Sequence, residues 1–313
     1  MDEHLCYRWL MEARWPDCKK PPCPKCAISE RVHVHDCVMY PVEDWRCAAC
    51  GAVYNVFTGT IFSGMHRLCS QIIVILRGFA QGQSTAMIAR ELECDYETLL
   101  KLRHRYNAAA AEECFGKPAF GAKSTVEVDE MYQNAGEKGV PHREPGDPPR
   151  RRANKMRGHG TYKTDRPAVF GALERQTGEV HCQVVGDSSA EWLLYAALEE
   201  APQGAAVMSD EWGTYNGLAK RGRSHATVNH GEGEYARDDD EDGVREVHCN
   251  SMEGFWTGLR NWLRTFRGVS KKYLFGYVGA YEWSFNLKQL CPRKLWSLVS
   301  HVLPMEALTF EPG

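Results

Sequence analysis

Two cysteine doublets and a scattered set of acids are the places where this 313-residue chain could do chemistry. Cys23-Pro24-Lys25-Cys26 and Cys47-Ala48-Ala49-Cys50-Gly51 form a C-x2-C-x20-C-x2-C pattern. Two such knuckles supply four thiolates to a tetrahedral zinc ion, because each turn lets both of its sulfurs converge. Cys18, Cys37 and His35 could substitute, but they break the symmetric spacing. Among the acids, Asp129 and Asp210 each follow a short apolar run, so each is expected at the end of a strand. Carboxylates so placed are costly unless solvated or bound to cations. Two of them with a third oxygen ligand can hold two Mg²⁺ or Mn²⁺ ions about 4 Å apart, the arrangement that activates a hydroxyl and stabilises the leaving oxygen in phosphodiester chemistry. The third ligand has two candidates, Asn250 and Glu253, which share one helix face. Asn250 offers a neutral carbonyl oxygen and Glu253 a carboxylate, and strand alternation also puts Glu127 on the face of Asp129.

The elements that must position these residues are legible as patterns. Arg31-Val32-His33-Val34-His35 alternates and Trp45 is aromatic, so short ribbon strands are expected between the knuckles. Leu68 to Ala80 is apolar enough for a buried helix. Ser84 and Asp95 are N-cap candidates for two further helices, the second reaching Tyr106. Short helix, tight turn and second helix is a helix-turn-helix layout, and Lys101, Arg103, His104 and Arg105 on the last helix could meet DNA phosphates or base edges. A three-helix linker with a solvated basic face would have the same pattern.

After Lys117-Pro118 the pattern becomes strand-like. Strands are expected at Ser124–Glu130, Pro167–Leu173 and Glu179–Val185, with Gln176-Thr177-Gly178 as a hairpin turn. A helix follows over Ala190–Glu200, then a strand over Ala205–Asp210. A long helix starts near Asn250, its apolar stripe made by Phe255, Trp256, Leu259, Trp262, Leu263 and Phe266. Three antiparallel strands followed by alternating helices and strands predict an α/β fold with a mixed sheet flanked by helices.

Bulk properties narrow the class. Hydrophobic content of 43% and charged content of 25% are those of a soluble globular chain. A formal net charge of −3 does not advertise a nucleic-acid binder, although a global balance can hide local asymmetry. The 13 cysteines, with no secretory signal at Met1-Asp2-Glu3-His4 and no membrane-length apolar run, argue for metal-bound thiols in the cytoplasm rather than disulfides.

Taken in order, the motifs resemble those of prokaryotic insertion-sequence transposases with an N-terminal zinc ribbon and an ISXO-like DDE catalytic domain. Arg14-Trp15-Pro16-Asp17, Thr58-Gly59-Thr60-Ile61-Phe62 and Val126-Glu127-Val128-Asp129-Glu130 carry the resemblance, with Ser209-Asp210-Glu211-Trp212, Tyr215 and Thr227-Val228-Asn229-His230. It continues through His248-Cys249-Asn250-Ser251-Met252-Glu253-Gly254-Phe255-Trp256 to Val269-Ser270-Lys271-Lys272-Tyr273-Leu274. The resemblance implies a ribonuclease-H-like fold and a catalytic set of Asp129, Asp210, Asn250 and Lys272, with Lys271 as the neighbouring candidate and Glu253 in support. The lysine would hold a phosphate near the cleaved end as a point charge.

The expected organisation is a zinc ribbon at 1–60, a helix-turn-helix-like DNA-binding module at 61–116, the catalytic domain at 117–292 and a C-terminal tail at 293–313. A polar insert from Lys138 to Arg166, with Arg150, Arg151 and Arg152, departs from the family pattern and is expected to touch the DNA backbone. The acidic run Asp238–Asp242 is a second departure, expected as a solvated loop rather than a metal site. The function expected is DNA transposition: binding of element ends, metal-dependent phosphodiester hydrolysis and strand transfer, by a homo-oligomer on DNA in a prokaryotic cytoplasm. Two alternatives are a catalytically inactive zinc-ribbon DNA-binding protein and a metal nuclease without strand transfer.

Overall fold

The computed structural model describes residues 1–136, 157–186, 189–288, 291–300 and 308–309. Arg150, Arg151 and Arg152 lie outside the described residues. The chain divides into two units, one built on Met1–Ala110 with the C-terminal helix, the other on Ala111–Leu287. No helix among the described residues is long and apolar enough to cross a membrane.

The first unit opens on helix α1 (Glu3–Arg14), capped by the Asp2 side chain, which accepts from the N–H groups of His4 and Leu5. A three-stranded antiparallel sheet follows, β1 (Val32–Asp36), β2 (Asp44–Cys47) and β3 (Val53–Tyr54), in the order β1-β2-β3. Then come α2 (Cys69–Ala80), α3 (Thr85–Glu91) and α4 (Tyr96–Cys114). Ser84 caps α3 by accepting from Met87 N–H, and Asp95 accepts from Thr98 N–H at 2.6 Å just ahead of α4.

The second unit is a five-stranded mixed sheet. Its strands are β4 (Thr125–Tyr132), β5 (Ala168–Glu174), β6 (Glu179–Val185), β7 (Ala206–Asp210) and β8 (Ser224–Val228), in the order β6-β5-β4-β7-β8. β4, β5 and β6 pair antiparallel, whereas β7 and β8 run parallel to β4. A parallel neighbour needs a crossover, which helix α5 (Ala190–Glu200) supplies between β6 and β7. Every residue of β5 is buried, as a strand covered on both faces requires. On one face Val126, Val128, Phe170 and Ala172 pack with Leu193, Ala197 and Tyr215. On the other, Met131, Val169 and Leu173 pack under α6 (Asn250–Arg264) and α7 (Leu274–Asn286), through Met252, Phe255, Trp256, Leu259 and Tyr277. The last helix, α8 (Pro292–Val299), folds with the first unit, where Val299 O accepts from Ile61 N–H at 2.9 Å.

One expected DNA contact is corrected. Arg103 has no exposed surface. Its Nε donates to Thr85 Oγ1 at 2.7 Å, another nitrogen donates to Gln83 O, and the guanidinium lies 4.3 Å from the centre of the Phe79 ring. It staples the start of α3 to α4, while Lys101 and Arg105, one turn apart, stay exposed. Truncation should therefore act on folding. Arg103→Ala is expected to cost about 2–4 kcal/mol, and Lys101→Ala to stay within about 0.5 kcal/mol, in urea denaturation of the purified proteins. Equal stabilities for the two variants would contradict the assignment.

Candidate functional site

The cysteines converge. Cys23 Sγ lies 3.6 Å from Cys50 Sγ and Cys26 Sγ 3.6 Å from Cys47 Sγ, with all four sulfurs within 4.8 Å of one another. Tetrahedral zinc with ordinary zinc–sulfur bonds needs sulfurs roughly 3.8 Å apart, so the set could hold a metal ion of that kind. Each doublet closes the same way: Ala27 N–H donates to Cys23 O and Gly51 N–H to Cys47 O, and both donors are left-handed, at φ 59° and 76°. Gly51 adopts that conformation without a Cβ penalty. Burial pushes the Cys23 thiol up, but N–H groups of Lys25 and Cys26 and the neighbouring sulfurs outweigh it and bring it down to about 7. Cys18, Cys37 and His35 are outside the group.

The acids are brought together by the second sheet. Parallel pairing of β4 with β7 sets Glu127 opposite Met208, and continuing that register sets Asp129 beside Asp210. Side-chain alternation then fixes the face. Met131 and Met208 point to the side where α6 begins, and Asp129 and Asp210, two residues away from each, point the same way. Asp129 Oδ2 accepts from Trp256 Nε1 at 2.9 Å and Oδ1 from Glu130 N–H at 2.8 Å. Asp210 Oδ1 accepts from Trp212 N–H at 3.1 Å. Glu130 points to the opposite face, where the Tyr215 hydroxyl donates to it at 2.8 Å.

Electrostatics mark the pair. Burial, then the Asp210 charge, raises the Asp129 carboxyl from the ordinary 3.8 to about 7. Asp210 is also raised, by burial and then by Glu211, against the opposing influence of His230 and His159. Glu130 rises to about 8 through burial and the charge of Asp129. Two carboxylates disfavoured as anions and facing the same space fit a divalent cation, which would reverse both penalties.

Helix α6 supplies the third side. Asn250 is its exposed first residue, and Glu253 follows one turn later on the same face. Glu253 Oε1 lies 3.2 Å from His230 Nε2. His230 is held in turn by Glu211, whose carboxylate accepts the N–H groups of His230 and Gly231 at 2.9 and 3.2 Å. Sequence reasoning gave His230 and Glu211 no role, because only the fold brings them beside Asp210 and Glu253. Among the described residues, the acid group with all its ligand atoms within 4.8 Å is Asp238, Asp240 and Glu246, not the Asp129–Asp210 pair with a third carboxylate.

Two neighbours of the proposed ligands turn out to be anchors. Glu127 is fully buried, accepts Arg175 Nε at 2.7 Å and Met252 N–H at 2.9 Å, and has His248 Nδ1 at 3.2 Å. Its oxygens hold the N-terminal turn of α6 to β4 rather than facing a metal. Lys271 is buried, pairs with Asp165 at 3.1 Å and donates to Tyr162 O at 3.2 Å. Lys272 is half-buried in the same turn.

The approach of α6 depends on Gly171, which faces Asp129 across the β4–β5 ladder. A Cβ there would sit 2.3 Å from Met252 Cε and 2.7 Å from the Trp256 ring. Gly171→Ala should therefore cost about 1–3 kcal/mol by overpacking. Gly254→Ala, on α6 with nothing within 4 Å of its missing Cβ, should stabilise by about 0.5–1 kcal/mol. Chemical denaturation of both variants checks this, and parent-like stability of Gly171→Ala would contradict the packing of Trp256 over β5.

Comparison with known proteins places this arrangement. Residues 121–286 match the family model described as ISXO2-like transposase domain. Over 262 residues, 83% of each chain, the protein is 27% identical to an uncharacterized protein in transposable element ISH50 of Halobacterium salinarum. A chain of the pre-cleavage Mos1 transpososome crystal structure aligns at 10% identity over 71% of this chain and 75% of that one, at a TM-score of 0.20, too low to bear on the fold. The matched residues contain all five strands of the second sheet, both aspartates, and helices α6 and α7 entire, and the chain belongs to the ISXO2-like transposase domain family.

Proposed function

We propose that this chain is an active DNA transposase of the DDE type, which hydrolyses a phosphodiester at each element end and uses the freed 3′-hydroxyl to attack target DNA. The observation that carries the reading is the side-by-side placement of Asp129 and Asp210 on parallel neighbouring strands, facing the first turn of α6. The sheet order, with three antiparallel strands and two parallel to the first, supports the ribonuclease-H-like expectation.

Asp129 and Asp210 would hold Mg²⁺ or Mn²⁺, with Asn250 or Glu253 as the further oxygen ligand. Such ions supply an activated hydroxyl and stabilisation of the leaving oxygen. Trp256 Nε1 and Glu130 N–H fix the Asp129 carboxylate against rotation. His230 orients Glu253 toward the same space, and its charge, when protonated, offsets the repulsion of the acids. Lys272 would hold a backbone phosphate of the cleaved strand.

The four cysteines would bind structural zinc, stabilising a ribbon too small for a core of its own. Residues 1–60 would then form the ribbon and 61–116 the DNA-binding module, with the catalytic domain over 117–292. Lys101 and Arg105 would meet DNA phosphates, as would Arg150, Arg151 and Arg152. Two ends must be held at once, so the working form would be a homo-oligomer on DNA, in the cytoplasm.

The test is a cleavage and joining assay on DNA carrying the flanking element ends, in Mg²⁺ or Mn²⁺. Asp129→Asn and Asp210→Asn should each lower product formation on the order of a thousandfold, or several kcal/mol of transition-state stabilisation, while DNA binding persists. Cleavage without joining would reduce the protein to a nuclease. Binding with no cleavage by the parent would leave a DNA-binding relic.

A further inference from the structure

A cleft of about 510 Å³ opens beside the outer end of α6. Its lining includes four guanidinium groups, Arg166, Arg260, Arg264 and Arg267, and no acid among the described residues. Among the described residues, none of the four forms an ion pair with a carboxylate. Arg260 and Arg264 lie one helical turn apart, about 6 Å along the axis. Arg267 continues the row just past the helix, at φ 54°. Arg166 closes the opposite wall, donating to Asn134 Oδ1 at 2.8 Å and to Gly158 O at 2.6 Å. Leu263 and Val269 are the apolar members of the lining.

Gathering like charges without counter-charge is unfavourable, and Arg166 registers it. Burial and then the Arg260 charge make its guanidinium easier to deprotonate than usual. A row of forked donors along one cleft matches successive phosphates of a nucleic-acid strand better than a single small anion. The position also fits. Tyr132, which lines the cleft, is three residues beyond Asp129 on β4, about 10 Å along the strand.

We infer that this cleft is a second DNA site, in which Arg260, Arg264 and Arg267 bind the backbone phosphates of the strand that runs away from the Asp129–Asp210 pair. The inference rests on the reading of the chain as a DNA-processing enzyme and adds to it a backbone-holding surface built on α6. Phosphate contacts carry no sequence information, so the cleft sets register and grip rather than choice of site.

The experiment measures binding of the full-length, zinc-loaded protein to duplex DNA carrying an element end, without Mg²⁺ or Mn²⁺, across a salt series. The parent is compared with the triple variant Arg260→Ala/Arg264→Ala/Arg267→Ala and with the triple Arg→Lys variant. Arg166 is left in place because it ties its own loop. Loss of three phosphate contacts should flatten the slope of log affinity against log salt by roughly 2–3. The affinity gap between parent and alanine variant should accordingly shrink on the order of tens of fold between 50 and 200 mM salt. The lysine variant should keep most of the slope, since charge sets it.

An alanine variant with the parent's slope overturns the inference, even if the parent cleaves and joins DNA. A slope lost equally in the lysine variant also overturns it, because that outcome signals damage to the fold. A flattened slope in the alanine variant alone supports the cleft, even if the parent never cleaves, so the two readings fail separately. A parent that does not bind DNA overturns both.

Discussion

Two carboxylates held side by side on neighbouring parallel strands repel each other, and burial makes their charge costlier still. Asp129 and Asp210 are in that position, and both carboxyls are raised, Asp129 to about 7 by burial and then the Asp210 charge, Asp210 by burial and then Glu211. Folding alone would favour removing one of them. The chain instead surrounds them with partial compensation, from Trp256 Nε1, the Glu130 and Trp212 N–H groups, and His230 beyond. Such a site stores an electrostatic cost that a divalent cation relieves, which is the usual signature of residues kept for chemistry.

The rest of the second unit keeps α6 pressed against that pair. Glu127, fully buried two residues before Asp129, accepts the Met252 N–H at the first turn of the helix. Arg175 neutralises it and also donates to Glu246 O and His248 O, which fixes the approach to the helix. A buried ion pair of this kind contributes little net stability, and its strength is geometric. Gly171 provides the matching vacancy on β5, so that the Trp256 ring can lie over the strand and reach Asp129. One strand thus carries an anchor, Glu127, and the proposed ligand, Asp129, two residues apart on the same face.

Much of this is legible in the sequence because it follows from local periodicity. The strands that carry Asp129 and Asp210, the hairpin at Thr177-Gly178, the caps at Ser84 and Asp95, and the cysteine knuckles are each short-range signals, although β4 runs on past Asp129 to Tyr132 while Asp210 does end β7. What was not legible depends on distant partners. The charge of Arg103 suggested a surface role, and only the seating of α3 against α4 reveals that Thr85, Gln83 and Phe79 cover it. β8 is short, at the sheet edge and only partly buried, so it lacks an apolar alternation to announce it. His230 and Glu211 are linked across 19 residues of chain by contacts that no local pattern encodes. Gly171 did leave a signal, since a lone glycine inside a strand marks a close approach. The spacing of Arg260, Arg264 and Arg267 was also visible, but it reads as the wet face of an amphipathic helix until the cleft beside it is seen.

The central claim is that Asp129 and Asp210 form a cation site completed from the first turn of α6. Anomalous diffraction from crystals grown in Mn²⁺, with data collected at the manganese edge, tests it most directly. The account predicts an anomalous peak between the two aspartate carboxylates, within about 2.2 Å of an oxygen of each, and the identity of the α6 side chain nearest it would decide between Asn250 and Glu253. Manganese at Asp238, Asp240 and Glu246 alone, with none between Asp129 and Asp210, would contradict it.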